Sequence, residues 1–375
     1  MNRREFLVAG SAALALGGCR SLGWGWGTKP PRNPAVEAEI AREIAAGYYS
    51  CCCCGSVGGA VYTIGDRRPG LGAPVPADEN SLFELASVSK TFCALVCAQL
   101  WDAGKLDLDA PFTKYLPDHI LAKEACDVTV RDLGIHFSGF SNGWMGRAGI
   151  YNPKWPFPDQ AAYERAILSA RPEYKRHTNY VYACHNMILL GLIIERVTGL
   201  DLDAAARKYV WGPLGMKRTT WHNCPDSPDT VRIWTKGWCP LGTKGDENAR
   251  HSTRPVGNAG VFSSVKELLV YADDLLNRRT FSSAVYDLLF TRAFTQDGYG
   301  RSFGWDMTPG NNPPGWSDAT VTHHGYTGQF VAIDPVKRQA AVVLTNLMSN
   351  DGKIRNPAYR ARKTLAALLT APVQN

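Results

Sequence analysis

Apolar positions along this chain change their spacing several times, and each change predicts an element. Val36, Ile40, Ile44 and Ala45 recur at helical intervals and predict a first helix over residues 36–47. The stretch from Gly58 to Ile64 (GGAVYTI) predicts a strand closed by the turn pair Gly65-Asp66, followed by a Pro/Gly-rich loop from Pro69 to Pro76. From Ser87 to Ala103 the stripe Val88, Phe92, Leu95, Val96, Leu100 and Trp101 predicts a strong helix, capped by Ser87 or Ser89 and stopped at Gly104. Between Leu106 and about Leu241 the pattern is helix and loop, with a buried helix from Met187 to Val197 ended by Gly199. Val265 to Leu276 predicts another helix. Strands return at about Gln329–Ile333 and Gln339–Asn346, with Asp334-Pro335 opening the hairpin, and a last helix is expected with Asn356 as cap and Pro357 in its first turn.

Strands at both ends and helices between them predict an α/β (α+β), two-lobed fold. An antiparallel sheet drawn from both chain ends is flanked by the first and last helices (about 36–86 and 255–372), and a mainly helical lobe spans about 87–254. The 375 residues suit two domains or one two-lobed domain (residues 36–372) at roughly 150 residues per domain. With 45% hydrophobic and 20% charged residues, disorder, collagen and coiled coil are excluded. The net charge of +7 is scattered, with no Lys/Arg stripe interleaved with aromatics, so no nucleic-acid partner is expected.

No apolar run reaches the roughly 18 residues that span a bilayer. The first residues, MNRREFLVAGSAALALGGC, instead read as an export signal over 1–18 followed by a linker over 19–35. Arg3-Arg4 with Phe6-Leu7 resembles a twin-arginine signal, and Leu16-Gly17-Gly18-Cys19 resembles a lipobox. The expectation is an exported, periplasmic or cell-envelope protein anchored to a membrane by lipid on Cys19, against the plainer reading of a cleaved signal with an incidental cysteine. Of the eleven cysteines, Cys51, Cys52, Cys53 and Cys54 are consecutive, which is poor spacing for chelating one metal ion. Their redox state is not legible, and Cys93 and Cys97, four apart on a helix, are expected to be packing residues.

The chemistry begins at Ser87-Val88-Ser89-Lys90. Ser87 and Lys90, three apart on a helix, share one face with Cβ atoms about 5–6 Å apart. A helix N-terminus favours negative charge growing on the serine oxygen. A buried lysine would lose its proton more readily than a free one and then take the serine proton. The plainer reading is a helix cap followed by a solvated lysine.

The segment Phe83-Glu84-Leu85-Ala86-Ser87-Val88-Ser89-Lys90-Thr91 resembles the F-x-x-A-S-x-[ST]-K-[ST] nucleophile segment of the serine β-lactamase-like family. That family includes class C β-lactamases, penicillin-binding D-alanyl-D-alanine peptidases and related esterases. Further matches follow in order: Gly104-Lys105-Leu106-Asp107-Leu108-Asp109, Tyr115-Leu116-Pro117, Thr129-Val130-Arg131-Asp132-Leu133, His136-Phe137-Ser138-Gly139-Phe140, Pro213-Leu214-Gly215-Met216 and Gly257-Asn258-Ala259-Gly260-Val261-Phe262-Ser263. Together they cover roughly residues 37–370.

The resemblance implies a second base at Tyr182, in Tyr182-Ala183-Cys184, with Cys184 where the family carries an asparagine that contacts substrate. A phenol beside an ammonium is expected to shift toward phenolate. The resemblance also puts His323, His324 and Gly325 on the family's K-T-G or H-T-G substrate-binding strand. The backbone amides of Ser87 and Tyr326 would then form the oxyanion hole. A largely neutral His323, and His324 without a threonine hydroxyl, weaken carboxylate capture. Ester or amide work is therefore favoured over penicillin hydrolysis. The expected function is an exported serine hydrolase that forms an acyl-enzyme on Ser87, either an esterase or a D-amino-acid peptidase or amidase. Its substrate would be a small-molecule or peptide ester or amide, with neither cofactor nor metal. The alternative is a non-catalytic relative that binds cell-wall peptides or a protein. Gly139-Phe140-Ser141-Asn142-Gly143 fits a G-x-S-x-G elbow but lacks the strand and helix that elbow needs.

Overall fold

Four consecutive cysteines make the middle of a strand. In the computed structural model, which describes residues 30–373 apart from 143–156, 235–236, 238, 247–248, 251 and 348–351, Cys51–Cys54 belong to β1 (Tyr49–Ser56). The sequence pattern missed this strand, because a run of cysteines shows no alternation of apolar and polar positions. Strand geometry supplies the alternation, since successive side chains leave on opposite faces. Cys51 and Cys53 enter the main core, while Cys52 and Cys54 pack with Val36, Ile40, Leu365 and Ala366 on the other face. All four thiols are free and fully buried, acting as small apolar fillers.

β1 pairs with β2 (Val61–Gly65), the strand expected at 58–64, and on its other side with β10 (Gln339–Leu347). The remaining strands are β5 (Phe294–Gln296), β6 (Tyr299–Ser302), β7 (Trp305–Asp306), β8 (Val321–His324) and β9 (Gln329–Asp334). They complete an eight-stranded antiparallel sheet in the order β2-β1-β10-β9-β8-β7-β6-β5. Strands from the early and late parts of the chain are therefore neighbours in one sheet, as the pattern of elements predicts. The hairpin after Asp334 is built by that carboxylate, which accepts from Val336 N and Lys337 N at 3.0 Å each and from Ser317 N at 2.8 Å.

Helices cover both faces. The first, α1 (Pro34–Ala45), lies with the last on the outer face, and Val265–Asn277 lies across β10, β9 and β1 on the inner face. The last helix, Gly352–Thr370, starts a turn earlier than expected, with Pro357 inside it rather than at its N-terminus. Between β3 (Phe83–Glu84) and β4 (Phe262–Ser263), a two-stranded ribbon of their own, the described residues form helices and loops. These include α2 (Ser89–Asp102), α3 (Val130–Gly134), α4 (Gln160–Leu168) and α5 (Cys184–Thr198). α2 and α5 pack against each other through apolar faces, and Gly199 closes α5 in the left-handed region at φ 69°. Ser87 does not cap α2: a 3₁₀ turn, Ala86–Val88, precedes the helix, and the Ser89 hydroxyl instead accepts from Val261 N at 3.0 Å. The segment expected to be an export signal over 1–18, Cys19 and the expected linker up to residue 29 lie outside the described residues. No described helix is long and apolar enough to cross a membrane.

Candidate active site

Ser87 is delivered by a strained turn. β3 ends at Glu84, Leu85 N donates to Val261 O at 2.8 Å, and Ala86 then adopts φ 46°, a left-handed conformation rare for a residue with a Cβ. The turn presents Ser87 ahead of α2, where the helix N-terminus points its dipole at the hydroxyl. Lys90, three residues on, is fully buried; its Nζ donates to Ser87 Oγ at 2.9 Å and to the carbonyl of Asn258 at 2.7 Å. The reading of Lys90 as a solvated surface lysine is thereby excluded.

Tyr182 reaches the same place from the loop before α5. Its ring lies 5.1 Å from Lys90 Nζ, and its hydroxyl faces both Lys90 and Ser87. Two neighbours set its position. The Asn142 side chain donates to Tyr182 O at 3.1 Å and accepts from Cys184 N at 2.8 Å. The His136 ring packs against Tyr182 at 4.7 Å between centroids. Ala183 N donates to His136 Nδ1 at 3.3 Å, so that nitrogen carries the lone pair, and burial keeps the ring neutral. Asn142 belongs to the Gly139–Gly143 motif that mimics a hydrolase elbow. Helical and turn backbone, not a strand, precedes Ser141, and Gly143 lies outside the described residues.

The protonation of the pair differs from expectation. Burial alone pushes Lys90 down, but Cys184 and Tyr182 facing it, with Asp246 beyond, favour its cation, and its pKa ends above the ordinary lysine value. For Tyr182 burial outweighs the pull of Lys90, and the phenol is raised rather than lowered. The resting pair is therefore an ammonium beside a neutral phenol, and it must shed one proton before it can accept that of Ser87. Raised pKa values place that loss on the alkaline side. The expected result is a kcat/KM for a neutral ester that climbs from pH 6 through pH 9, as a stopped-rate profile would read; a plateau already reached at pH 6 would contradict it.

A cleft of about 590 Å³ opens at Ser87, lined also by Tyr182, Arg301, His323, His324 and Tyr326. The structure thus gathers most of the expected residues into one space. His323 and His324 end β8. His323 Nδ1 donates to His324 O at 3.2 Å, and burial, with Arg301 and Lys90 nearby, keeps the ring neutral. His324 stacks on Phe330 and Tyr359, with centroids 4.5 and 5.2 Å away. At Gly325 a Cβ would come within 2.6 Å of Leu85 O, so only glycine lets β8 lie this close to the nucleophile turn. Cys184, expected to touch substrate, does not line the cleft. As the first residue of α5 it is buried against Lys90 and the Asn258 side chain.

Sequence reading missed the group that ties together the two segments expected to form the oxyanion hole. Buried Glu84 accepts from Ala86 N at 2.9 Å and from the Thr327 hydroxyl at 3.1 Å, joining the turn before Ser87 to the residue after Tyr326. Burial pushes its carboxyl up to about 7. No spacing rule signals this contact, because it spans 243 residues.

A serine, a lysine and a phenol thus meet at the tip of α2, beside an eight-stranded antiparallel sheet. The Beta-lactamase family model matches residues 54–365, and the chain belongs to that family. A putative D-alanyl-D-alanine carboxypeptidase of Salmonella gallinarum is 26% identical, over 80% of this chain and 77% of that protein. Among solved structures, the octameric penicillin-binding protein homologue from Pyrococcus abyssi superposes with a TM-score of 0.72 at 23% identity, covering 90% of this chain and 77% of the other. EstCE1, described as a hydrolase with promiscuous acyltransferase activity, gives 0.73 at 18% identity, covering 88% and 98%. The chain shares the fold of these two structures.

Proposed function

We propose that this protein is a serine hydrolase acting on an ester or amide through an acyl-enzyme on Ser87, as an esterase or a D-amino-acid peptidase or amidase. One observation carries the reading: a wholly buried lysine amine bridges Ser87 Oγ and a backbone carbonyl at the edge of a cleft. A cation hidden from water is costly unless its contacts serve a purpose, and here its contact is a nucleophile. Once the Lys90–Tyr182 pair has lost a proton, Ser87 Oγ attacks the substrate carbonyl and its proton passes to the pair. The resulting oxyanion is met by the Ser87 and Tyr326 amides, one such donor being worth about 2.7–4 kcal/mol. The carbonyl re-forms, the bond to the alcohol or amine breaks, and the pair returns the proton to that leaving group. Water then repeats the attack on the acyl-serine. A neutral His323 gives β8 little grip on a carboxylate and supports ester or amide work over penicillin hydrolysis. Export and a lipid on Cys19 form part of the proposal and rest on the first nineteen residues alone.

The test is direct. Enzyme mixed with p-nitrophenyl butyrate and quenched in acid is expected to carry a butyryl mass on the peptide containing Ser87. Label on Ser141 instead, or release of p-nitrophenol with Ser87 unlabelled under single-turnover conditions, overturns the assignment.

A further inference from the structure

Ser87 and Tyr326, whose amides meet the oxyanion in the reading above, stand on segments far apart in the chain. Ser87 follows the left-handed Ala86 after β3, and Tyr326 sits in the turn between β8 and β9. Burial of their own side chains does little to hold them, since Ser87 is half-buried and Tyr326 is 37% exposed. Two amides serve one oxyanion only if each lies about 2.7–3.1 Å from it, so neighbouring groups must set the gap between them.

Glu84 is placed to do so, and its side chain is fully buried. Oε1 accepts from Ala86 N at 2.9 Å, one residue before the Ser87 amide. Oε2 lies 3.1 Å from the Thr327 hydroxyl, one residue after the Tyr326 amide, and the Glu84 carbonyl lies at the same distance from that hydroxyl. Thr327 O accepts from Leu347 N at 2.9 Å, which ties the turn to β10. The bond to Ala86 N also supports φ 46° at that residue, a conformation that persists only where its surroundings enforce it. Burying a carboxyl is costly, and an apolar side chain would fill this space without that cost. Its two oxygens are instead divided between the two segments that carry the amides.

Resting on the acyl-enzyme reading of Ser87, we propose that Glu84 is a positioning residue whose buried carboxyl fixes the spacing of the Ser87 and Tyr326 amides. It touches no substrate and takes no part in the proton transfers. It acts through Ala86 on one side and Thr327 on the other.

A sulfur-for-oxygen pair tests this: p-nitrophenyl butyrate against its thiono analogue, in which C=S replaces the carbonyl. Sulfur fits poorly between donors set for oxygen. Wild type is therefore expected to favour the oxygen ester in kcat/KM by at least about a hundredfold, the scale of one oxyanion donor. Glu84→Ala is expected to lower that preference about tenfold or more. Its kcat on the oxygen ester is expected to fall about ten- to a hundredfold, with KM within about threefold of wild type. Thr327→Val, which keeps the carboxyl and removes the hydroxyl, is expected to lower the preference likewise, and Thr327→Ser, which keeps the hydroxyl, to retain it. A purely structural part for Glu84 would lower the unfolding midpoint and leave the preference unmoved. Wild-type preference in Glu84→Ala overturns the bridge, as does wild-type preference in Thr327→Val if thermal unfolding shows that Glu84→Ala does not fold. No oxygen preference in wild type, or a Thr327→Ser as impaired as Thr327→Val, also overturns it. In each of these cases the oxygen ester is still turned over and the hydrolase reading stands; a wild type that turns over neither ester overturns both.

Discussion

Ser87→Ala is expected to lower kcat/KM for p-nitrophenyl butyrate by at least about a thousandfold, while the unfolding midpoint moves by no more than about 2 °C. The first figure follows from the proposed chemistry: the variant loses the hydroxyl that would form the acyl-enzyme, and what remains is substrate binding beside backbone amides. The second follows from packing, since Ser87 is partly exposed at the cleft and its hydroxyl satisfies no buried backbone group. Ser89, two residues away, is the reverse case, because its hydroxyl accepts from the buried Val261 N. Steady-state kinetics and a melting curve on the same sample check both figures. A variant within tenfold of wild type would remove Ser87 from the mechanism.

Lys90→Met is expected to cost about 10²- to 10⁴-fold in kcat, the range for loss of a positioned general base. Methionine fills nearly the same volume with no charge. Stability then reflects two opposed effects: relief from burying a cation, and loss of the 2.7 Å bond that satisfies the Asn258 carbonyl. The net change is expected to stay below about 3 kcal/mol, as chemical denaturation would read. The variant is also expected to lose the alkaline rise in kcat/KM, because the group whose proton must leave is gone. A rise that persists unchanged would assign it to Tyr182 alone.

The parts of this molecule legible in its sequence are those carried by local spacing. Ser87 and Lys90 stand three apart, and a helix brings such residues together wherever it forms. The inner-face helix shows in its apolar stripe, ending at Asn277 against an expected Leu276. What stayed hidden depends on distant partners. The direction of the Lys90 shift is set by Cys184 and Tyr182, with Asp246 beyond, all reaching it from other segments, so a rule about burial alone points the wrong way. Strand β1 hid in its cysteines, whose faces are distinguished only once helices cover both sides of the sheet. Arg301 looks like any charged residue on a short surface strand, and only the fold shows it to be buried. Asn142 drew notice for a motif it does not serve, yet it braces the backbone on either side of Ala183.

The pairing of β1 with β10 joins Cys52 to Thr345, about 290 residues downstream. All the chain from β1 through β10 must therefore be synthesised before the sheet can close. Throughout that interval the nascent chain carries four adjacent thiols that can pair with β2 but have neither β10 nor the last helix to cover them. The four thiols are therefore open to reaction only until β10 and the last helix arrive, and the folded chain buries them completely.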